Sequence, residues 1–597
     1  MNATPPPPDT SSGPGPDSPL ASRVRQVRAY HELSKHQLQR YAAGPETLDW
    51  DAQPDPFRRY LGATLTPLPL AADDCTLPWN RLFEPGAVVA RPLDRDGMGL
   101  LLELSLALSA WKQQGPDRWA VRVNPSSGNL HPTEGWLISQ DLPGVADGLH
   151  HYAPREHGLE HRAAGRCAHT CGPRAWLALS TIDWREAWKY GERAFRYGQL
   201  DIGHALGALR HAAAVLGWRL RRVPMGSVSL ARLLGLDRDA DYGQAEREEP
   251  ELLLQIVADD RAPAITPRPA AWTWSGQASR LDRHPMYRWP VIATVARASL
   301  SPEVDDTGAS GPGTGTPASA PADLAAMAGT DPVQAVPAGS RAHELAATLI
   351  RQRRSAQRFD ARARAPLATL LPLLATLQSP RLPLDLGPAG PRVHVLAFVH
   401  RVDGLAPGAY LLPRRAAALP LLQQVLGGTT DWQVDEPVRQ QARAAGLGEL
   451  MLIRLTDNPA LAGTLRTLNC HQALGSDALV ALALLGEFDA SLGPADDGAR
   501  PWAYRDLFHE AGLLGQVLYL EAEAAGLAGT GIGCYFDDAT HQLLGLAPGD
   551  TRLQSLYHFT VGVPVRDGRI TSEPPYAHRL PVLPPPPSTD ADGDPAP

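Results

Sequence analysis

The fold of this chain is decided by a stretch that occurs twice. The first copy begins as Arg196-Tyr-Gly-Gln-Leu-Asp201-Ile-Gly203 and continues through Gly217 to Leu233-Leu234-Gly235-Leu236. The second begins as Arg505-Asp-Leu-Phe-His-Glu510-Ala-Gly512 and continues through Gly526 to Leu543-Leu544-Gly545-Leu546. Arg505 lies 309 residues after Arg196, and Leu543 lies 310 after Leu233. The same features in the same order at a nearly constant offset predict a duplicated domain.

Each copy has the pattern of a helix that ends at a glycine. Apolar residues recur at helical spacing over 200–216 in the first copy and over 507–520 in the second. Gly217 suits the left-handed position just past a helix end. Short strands are predicted at residues 135–139, 252–257, 393–399 and 559–563. Helices interleaved with a few short strands indicate an α+β fold.

Three segments are too poor in large apolar residues to bury a core, namely residues 1–20, 301–338 and 583–597. The middle segment is rich in Gly, Pro, Ala and Ser and has the composition of a flexible linker. We therefore predict disordered ends, a first domain over residues 21–300 and a second domain over residues 339–582.

The composition excludes several classes of function. The 56 basic and 64 acidic residues give a formal charge of −8, which argues against a general nucleic-acid binder and a polybasic membrane anchor. Five cysteines in 597 residues exclude a disulfide scaffold. The chain has no apolar run of membrane-spanning length, and its first residues lack the pattern of a secretory signal. We expect a soluble cytoplasmic protein that binds neither nucleic acid nor membranes.

The most distinctive segment is a loop, Pro125-Ser126-Ser127-Gly128-Asn129, within the string Arg122–Glu134. This composition does not form a helix interior. Its hydroxyl and amide groups can donate hydrogen bonds to a planar polar ligand that approaches the backbone. An ordinary turn has the same composition, so the loop alone leaves both interpretations open.

Four arginines and a serine fall within eight residues at the start of the second domain, in Arg351-Gln-Arg353-Arg354-Ser355-Ala-Gln357-Arg358. Guanidinium groups beside a hydroxyl suit an anion such as phosphate. A solvated basic helix end is the alternative.

A glycine-rich segment follows the second repeated helix, as Gly529-Thr-Gly531-Ile-Gly533-Cys534. Its spacing superficially matches a dinucleotide-binding loop, but the glycines follow a helix instead of opening one. A strand that lets a flat ligand lie against bare backbone is the better interpretation.

These three segments and the helix stretch 184–197 resemble the nitroreductase family of flavin mononucleotide (FMN) enzymes. The closer likeness is to the SagB-type dehydrogenases, which aromatise azoline rings in ribosomal peptides. The resemblance implies two fused nitroreductase-like α+β domains, each an antiparallel-rich sheet flanked by helices, that together form a pseudo-dimer. In this family each flavin lies between two subunits.

The resemblance divides the parts of an FMN site between the two domains. The first domain has Pro125, Ser126, Ser127 and Asn129 but no Arg-Arg-Ser segment. The second has Arg353, Arg354, Ser355, Gly531, Gly533 and Cys534 but no Pro-Ser-Ser loop. We therefore expect one complete FMN site within the chain and one degenerate site.

Two further positions bear on that site. Arg579 maps to a late arginine that contacts the phosphate in relatives, although a solvated tail residue is the alternative. Gln357 stands where relatives usually have Arg or Lys, and Arg358 comes one residue late. Either Arg358 takes over that role or the flavin has a lower reduction potential.

The pair Lys189-Tyr190 matches a pair that azoline-oxidising relatives are thought to use for proton removal. An adjacent ammonium would lower the pKa of the tyrosine and let it act as a base. An exposed, charged helix face is the alternative. The resemblance thus implies an FMN oxidoreductase that oxidises azoline-like rings in a peptide or small molecule.

Two other functions stay open. One is a nitro- or quinone reductase that uses NAD(P)H, and the other is a flavin-free binding protein. NAD(P)H or O2 could be the redox partner of an enzyme. Histidines and cysteines also cluster between His150 and Cys171, but the Cys-x3-Cys spacing is no standard zinc pattern. Residues 148–161 have the pattern of a β-hairpin instead, and we expect no metal site.

Overall fold

The computed structural model of the chain describes residues 18–168, 172–259, 263–304, 339–378, 383–387, 390–426, 432–494, 496 and 498–579. Of the segments predicted to be disordered, only residues 18–20 and 301–304 lie within these ranges. Within the first of these segments Pro19 begins a helix, whose first turn is capped by the Ser18 hydroxyl, an acceptor for Ala21 N at 3.3 Å.

The elements of the first half run to residue 298. Its helices are α1 Pro19–Leu33, α2 Arg95–Glu103, α3 Asp183–Tyr190, α4 Ala194–Val215, α5 Ser227–Leu234, α6 Asp239–Tyr242 and α7 Pro290–Ala298. Its strands are β1 Tyr60–Leu61, β2 Thr64–Pro67, β3 Leu108–Gln114, β4 Asp117–Arg122, β5 Thr133–Gln140, β6 Gly148–Ala153, β7 Gly158–Ala164, β8 Arg174–Thr181, β9 Arg219–Arg222, β10 Glu249–Val257, β11 Thr273–Trp274 and β12 Gln277–Ala278.

The elements of the second half begin at residue 346. Its helices are α8 Ala346–Gln352, α9 Leu367–Gln378, α10 Leu419–Leu426, α11 Glu436–Ala444, α12 Leu461–Leu468, α13 Leu474–Asp477, α14 Phe488–Leu492, α15 Ala503–Ala524 and α16 Asp537–Leu543. Its strands are β13 Ala365–Pro366, β14 Val393–Val399, β15 Val402–Asp403, β16 Gly408–Leu412, β17 Gln433–Val434, β18 Ile453–Thr456, β19 Val480–Glu487, β20 Ala528–Ile532, β21 Leu553–Gly562 and β22 Thr571–Glu573.

Each half is built on an antiparallel sheet, and six neighbouring strands follow the same order in the two sheets, whereas the edge strands β11 and β17 come from different places in the chain. The first runs β11-β7-β6-β5-β8-β10-β9, with β2 also paired to β7, and the second runs β17-β18-β16-β14-β19-β21-β20. At their centres Leu137 pairs with Leu177 and Leu396 pairs with Ala483. The matched order is what a duplication predicts, and sheets flanked by helices confirm the α+β class. The domain boundaries at residues 21–300 and 339–582 stay a prediction.

The predicted strands lie within β5, β10, β14 and β21, although β21 ends at Gly562, one residue before the predicted end. The predicted hairpin over residues 148–161 is formed by β6 and β7. The two repeated helices are α4 and α15, and both end in the same way. Gly217 and Gly526 adopt φ of 70° and 75°, and the next amide donates back to Ala213 O and Ala522 O respectively.

The helices α4 and α15 cross at two glycines of the repeat, Gly203 and Gly512. A Cβ atom added to Gly203 would lie 2.7 Å from Gly512 Cα, and one added to Gly512 would lie 2.9 Å from Gly203 Cα. The same added atoms would collide with the carbonyl oxygens of His509 and Leu200. The two backbones can approach this closely only because neither position carries a side chain.

Other elements also cross between the halves. His31 at the end of α1 contacts Tyr504 and Gln554 of the second half. Residues 342–346 hydrogen-bond to residues 77–80, and β22 pairs with β3 of the first half. The two largest apolar clusters accordingly combine side chains from both halves.

In the part of the chain that the structure describes, no helix combines the length and the apolar character needed to cross a lipid bilayer.

The glycine crossing makes a testable prediction about stability. We expect Gly512→Ala to lower the free energy of unfolding by at least about 1–3 kcal/mol, because the new methyl group must displace the backbone of α4. The matched control is Gly463→Ala on α12, where an added Cβ meets nothing within 4 Å and alanine should be neutral or stabilising. Thermal and urea unfolding of both variants measure this, and equal midpoints for Gly512→Ala and the parent would contradict the tight crossing.

Candidate active site

A cavity of about 250 Å³ lies between the two halves. The first half lines it with Pro125, Ser126, Ser127, Gly128, Tyr190, Tyr197, Asp201 and His204. The second half lines it with Ser355, Gln472, Tyr519, Thr530, Gly531, Ile532, Gly533, Cys534 and Tyr557. The serine loop of one half and the glycine-rich strand of the other therefore face one space, as the resemblance implied.

The serine loop is held against α4 by a carboxylate. Ser127 donates to Asp201 from its backbone nitrogen at 3.1 Å and from its hydroxyl at 3.1 Å. The loop turns at Gly128, which adopts φ of 60° and lies under the Tyr190 ring. A side chain at Gly128 would collide with Tyr190, so the loop and α3 can share the cavity wall only with glycine at this position.

Two acidic side chains of this wall hold their protons unusually tightly. Burial raises the pKa of Asp201 to about 7, although Ser126 and Ser127 oppose the shift. Burial and the charge of Asp201 raise the pKa of Glu186 well above its usual range. Both Glu186 oxygens are buried without a hydrogen-bond partner among the described residues. A pair of buried acids thus lies behind the serine loop, and Asp201 changes its protonation near neutral pH.

The pKa of Tyr190 is shifted in the opposite direction to the sequence prediction. Burial is the main cause that raises it well above 10, with a further contribution from the charge of Glu186. The Lys189 ammonium lies 5.5 Å from the centre of the Tyr190 ring and 5.2 Å from that of Trp50, and Lys189 does not line the cavity. The predicted lowering of the tyrosine pKa was therefore wrong, because burial outweighs the ammonium, and the hydroxyl stays protonated at neutral pH.

The glycine-rich strand leads from β20 along the opposite wall. Side chains at Gly531 and Gly533 would collide with Tyr557 and Tyr197 respectively. Gly531 N donates to Tyr519 Oη at 3.0 Å, and Arg193 donates to Gly533 O at 3.0 Å. Bare backbone and tyrosine side chains thus form this side of the cavity.

The predicted phosphate arginines lie beside the cavity and do not line it. Arg353 donates to Val123 O at 3.0 Å and to Arg122 O at 3.3 Å, and its guanidinium stands 4.8 Å from the centre of the Tyr519 ring. Arg354 donates to Ser109 O at 2.9 Å. Arg353 therefore binds the backbone that leads into the serine loop of the first half, and Arg354 binds β3 of the same half.

These two cations have no carboxylate of the described residues within ion-pair distance. Within the described ranges neither arginine forms an ion pair, and Arg353 Nε has no hydrogen-bond partner. Burial lowers the pKa of Arg353, and burial with the charge of Arg353 lowers that of Arg354 to about 10. The pKa of Lys112 is lowered by burial and by both arginines. The two arginines lie near the Glu523 carboxylate, which already pairs with Arg341, so the region with Lys112 carries an excess of positive charge that suits an anion.

Other predicted positions lie away from the cavity wall. The Asn129 amide donates to Ala120 O at 2.8 Å, and Arg579 donates to Leu68 O at 2.9 Å. Gln357 and Arg358 are exposed and line no part of the cavity. The structure therefore brings together the loop, Ser355, the glycine strand and Tyr190, and it leaves these four residues outside the cavity lining.

Several lining residues were missed by sequence reasoning. Tyr197, Asp201 and His204 are spaced at i, i+4 and i+7 on α4, so helical spacing could have placed them on one face. Tyr557 and Gln472 reach the cavity from β21 and from the turn after α12, and no local pattern marks them. The Tyr557 hydroxyl lies 3.0 Å from His204 Nε2, which joins the two halves across the cavity.

The equivalent place on the other side of the pseudo-dimer is occupied by arginines. Glu510, which corresponds to Asp201, is buried against Arg414 and accepts from Arg392 N at 2.9 Å. Arg222, 309 residues before Gly531, lies 3.5 Å from Asp506. Side chains thus take the positions that a serine loop and bare glycine backbone hold in the cavity.

The histidines of the β6–β7 hairpin do not converge. His151 lies between Glu134 and Glu160 at 3.0 and 2.9 Å, and their hydrogen bonds raise its pKa to about 9 despite its burial. His150 stacks on His161. Among the described residues no three side chains of His, Cys, Asp or Glu are grouped to hold a metal ion. His169 and Cys171 lie outside the described residues.

One comparison with a solved structure supports the fold. No family model matches the chain. A solved structure from Anabaena variabilis, provisionally named a nitroreductase, is similar with a TM-score of 0.61 at 19% identity, over 90% of this chain and 99% of that one. The alignment therefore takes in both halves, and the fold is that of two fused nitroreductase-like domains.

Two other similarities are more distant. A protein of Methanocaldococcus jannaschii, also provisionally named a nitroreductase, is 26% identical over 112 residues, which cover 17% of this chain and 57% of the relative. The chain thus matches little more than half the length of that relative. A chain of the Escherichia coli microcin synthetase McbBCD complex with truncated pro-MccB17 aligns over 40% of this chain and 94% of its own at 15% identity, with a TM-score of only 0.24.

Proposed function

We propose that this protein is an FMN-dependent oxidoreductase of the nitroreductase family, with one flavin site in the cavity between its halves. One observation carries the proposal: one cavity is lined by the serine loop of one half and by Ser355 and the glycine-rich strand of the other, beside arginines that form no ion pair among the described residues. Both similar proteins provisionally named nitroreductases support the same class of chemistry.

The residues present fit FMN at both of its ends. The phosphate is a dianion and needs charge-assisted donors, which Arg353, Arg354 and Ser355 would supply. Arg353 is buried with an unpartnered Nε, so an anion would satisfy a group that the chain leaves unsatisfied. Gly531 and Gly533 line the cavity with backbone alone, and the Tyr557 and Tyr197 side chains that pack against them provide aromatic surface for a flat ring system. When bound, FMN supplies a two-electron acceptor or donor of hydride.

Residues of the first half would transfer protons and donate hydrogen bonds on the side of the cavity opposite the glycine-rich strand. Asp201 changes its protonation near neutral pH, so its carboxylate can accept or return a proton within the cavity. The Tyr190 hydroxyl stays protonated and is a hydrogen-bond donor, not a base. We therefore assign proton transfer to Asp201 and orientation of the substrate to Tyr190.

The substrate class is the finer part of the proposal. The likeness of Lys189-Tyr190 to azoline-oxidising relatives favours an azoline-like ring in a peptide or small molecule. A nitro- or quinone reductase that uses NAD(P)H is the second candidate, and the protonated state of Tyr190 favours it, because such reductions consume protons. A flavin-free binding protein would leave the cations beside the cavity without an anion.

Binding of FMN provides the first test. The full-length protein should turn yellow with FMN and bind one FMN per chain, since Arg414 and Arg222 occupy the equivalent second place. Arg353→Gln should weaken binding by at least about tenfold through loss of a charge-assisted contact. Ser355→Ala, at an exposed side chain whose hydroxyl lies 2.9 Å from Tyr519 Oη, should weaken binding with little effect on stability.

The matched control for FMN binding is Arg358→Gln, which changes an exposed arginine of the same segment. Titration calorimetry and flavin fluorescence measure all four proteins. A colourless protein that does not bind added FMN contradicts the proposed function. Equal affinity for the parent and Arg353→Gln removes the arginine pair from the site.

The substrate class can be tested by comparing how one substitution affects azoline oxidation and nitroarene reduction. We expect Lys189→Ala to slow oxidation of an azoline substrate by at least about tenfold, because the ammonium, 5.5 Å from the centre of the Tyr190 ring, helps to hold the hydroxyl that orients that substrate. The same variant should keep its reduction of a nitroarene by NAD(P)H. Steady-state kinetics with both substrates make the comparison, and azoline oxidation that survives intact would favour the reductase.

The buried acid makes a prediction about pH. The folded-state pKa of Asp201 lies above its unfolded value, so its contribution favours folding at low pH and is lost as pH rises from about 4 to 7. The stability of Asp201→Asn relative to the parent should therefore rise over that range, by an amount on the order of 4 kcal/mol, and then level off. Urea unfolding of both proteins across the range measures this. A difference that does not depend on pH would show that Asp201 titrates normally.

A further inference from the structure

Two cysteines meet at the edge of the cavity. Cys534 follows β20 and lines the cavity, and its Sγ lies 2.6 Å from Sγ of Cys470, which follows α12. The two residues are 64 positions apart in the sequence. Both side chains are only partly buried, so small molecules can reach them.

The backbone holds the two sulfurs in this arrangement from both sides. Phe536 N donates to Leu468 O at 2.8 Å, and the Gln472 amide donates to Cys534 O at 3.3 Å. Cys470 and His471 adopt φ of 53° and 62°, a left-handed conformation that costs free energy in residues with a side chain. Two consecutive residues in this conformation turn the chain so that the Cys470 side chain points at Cys534.

The surroundings favour a thiolate at Cys534. Ala42 N donates to His36 Nδ1 at 2.9 Å, so the neutral ring carries its proton on Nε2 and can donate it to the neighbouring Cys534 sulfur. Hydrogen bonds from Cys470 and His36, together with the charge of Arg193, lower the pKa of Cys534 to about 5. The pKa of Cys470 is raised correspondingly, and Tyr41 lies beside it.

The other two cysteines of the described residues differ from this pair in burial and in the direction of the thiol pKa shift. Cys75 and Cys167 are buried, and burial raises the pKa of both thiols, that of Cys167 to about 11. A buried protonated thiol is a poor nucleophile, whereas a partly exposed thiolate beside a second thiol is the arrangement of reactive pairs.

We propose that Cys534 and Cys470 form a redox-active pair that closes to a disulfide on the cavity wall by exchange with a low-molecular-weight disulfide. The Cys534 thiolate attacks one sulfur of the small disulfide and displaces its first thiolate, which leaves a mixed disulfide on Cys534. Cys470 then loses its proton and attacks Cys534 Sγ, and the second small thiolate leaves. Two protein thiols are oxidised, and one small disulfide is reduced to two thiols.

The pair would also change the charge of the cavity. Closing the bond replaces the Cys534 thiolate by a neutral disulfide on a wall that also carries Tyr197 and Gly533. The proposal does not depend on FMN, because neither exchange step involves a flavin.

Peptide mapping of the full-length protein tests the proposal without added FMN. After incubation with oxidised glutathione and alkylation, we expect a cross-linked peptide that joins residues 470 and 534, lighter by two hydrogens than the two free peptides together. Cys470→Ser should stop at the first step and carry glutathione on Cys534. Cys534→Ser should leave Cys470 unmodified over the same time.

Alkylation rates give a second readout that needs no variant. Cys534 of the reduced parent should react at about pH 6 at least about tenfold faster than Cys75 or Cys167, which serve as internal controls. Cys534 that reacts no faster than these two overturns the assignment of a thiolate. A parent protein that forms no 470–534 cross-link under oxidised glutathione overturns the pair itself.

Discussion

The close approach of α4 and α15 at Gly203 and Gly512 is the contact on which the cavity depends. Because no side chain separates the helices there, the face of α4 that carries Tyr197 and Asp201 comes to lie opposite β20. The same crossing orders two buried ion pairs. Arg196 of α4 pairs with Asp537 of the second half at 2.7 Å, and Arg505 of α15 pairs with Glu251 of the first half at 2.8 Å. Removal of one partner of a buried ion pair leaves the other charge buried and unpaired, which costs free energy. Each half therefore depends on the other to neutralise a buried arginine or carboxylate.

The duplication explains the framework, and the divergence of the copies explains why the cavity lies on one side of the crossing. Asp201 and Glu510 hold the same position on the two central helices. Asp201 receives the backbone and hydroxyl of a serine loop, whereas Glu510 receives Arg414. An arginine partner keeps a carboxyl group ionised, so that the group serves only to stabilise the fold. A carboxyl group that contacts only neutral donors can gain and lose a proton near neutral pH. The same fold position therefore serves packing in one copy and supports chemistry in the other.

The sequence predicted those parts of the structure that depend on residues close together in the chain. Helix ends at Gly217 and Gly526, the four strands, and the small-residue loop each follow from adjacent residues. The burial of Tyr190 was not predictable, because it depends on Tyr197 of α4 and Gly128 of the serine loop, and this burial reversed the expected direction of its pKa shift. The attachment of Arg353 to Val123 O was likewise not predictable, since it joins residues 230 positions apart. Cys470 carried no signal at all until the fold placed it against Cys534.

The unbalanced charges around the cavity are not explained by stability. Arg353 and Arg354 are held by carbonyl oxygens that could equally be occupied by neutral donors, and burying an unpaired cation costs free energy. Glu186 is buried on the acidic side with no partner among the described residues, which costs free energy in the same way. The cations lie where the second half meets the start of the serine loop, and the acids lie behind that loop on α3 and α4. A ligand with an anionic group against the arginines would offset the free-energy cost of burying their charge. If its reacting part lay against Asp201, the buried acids could exchange protons with it. The proposed flavin site requires this arrangement.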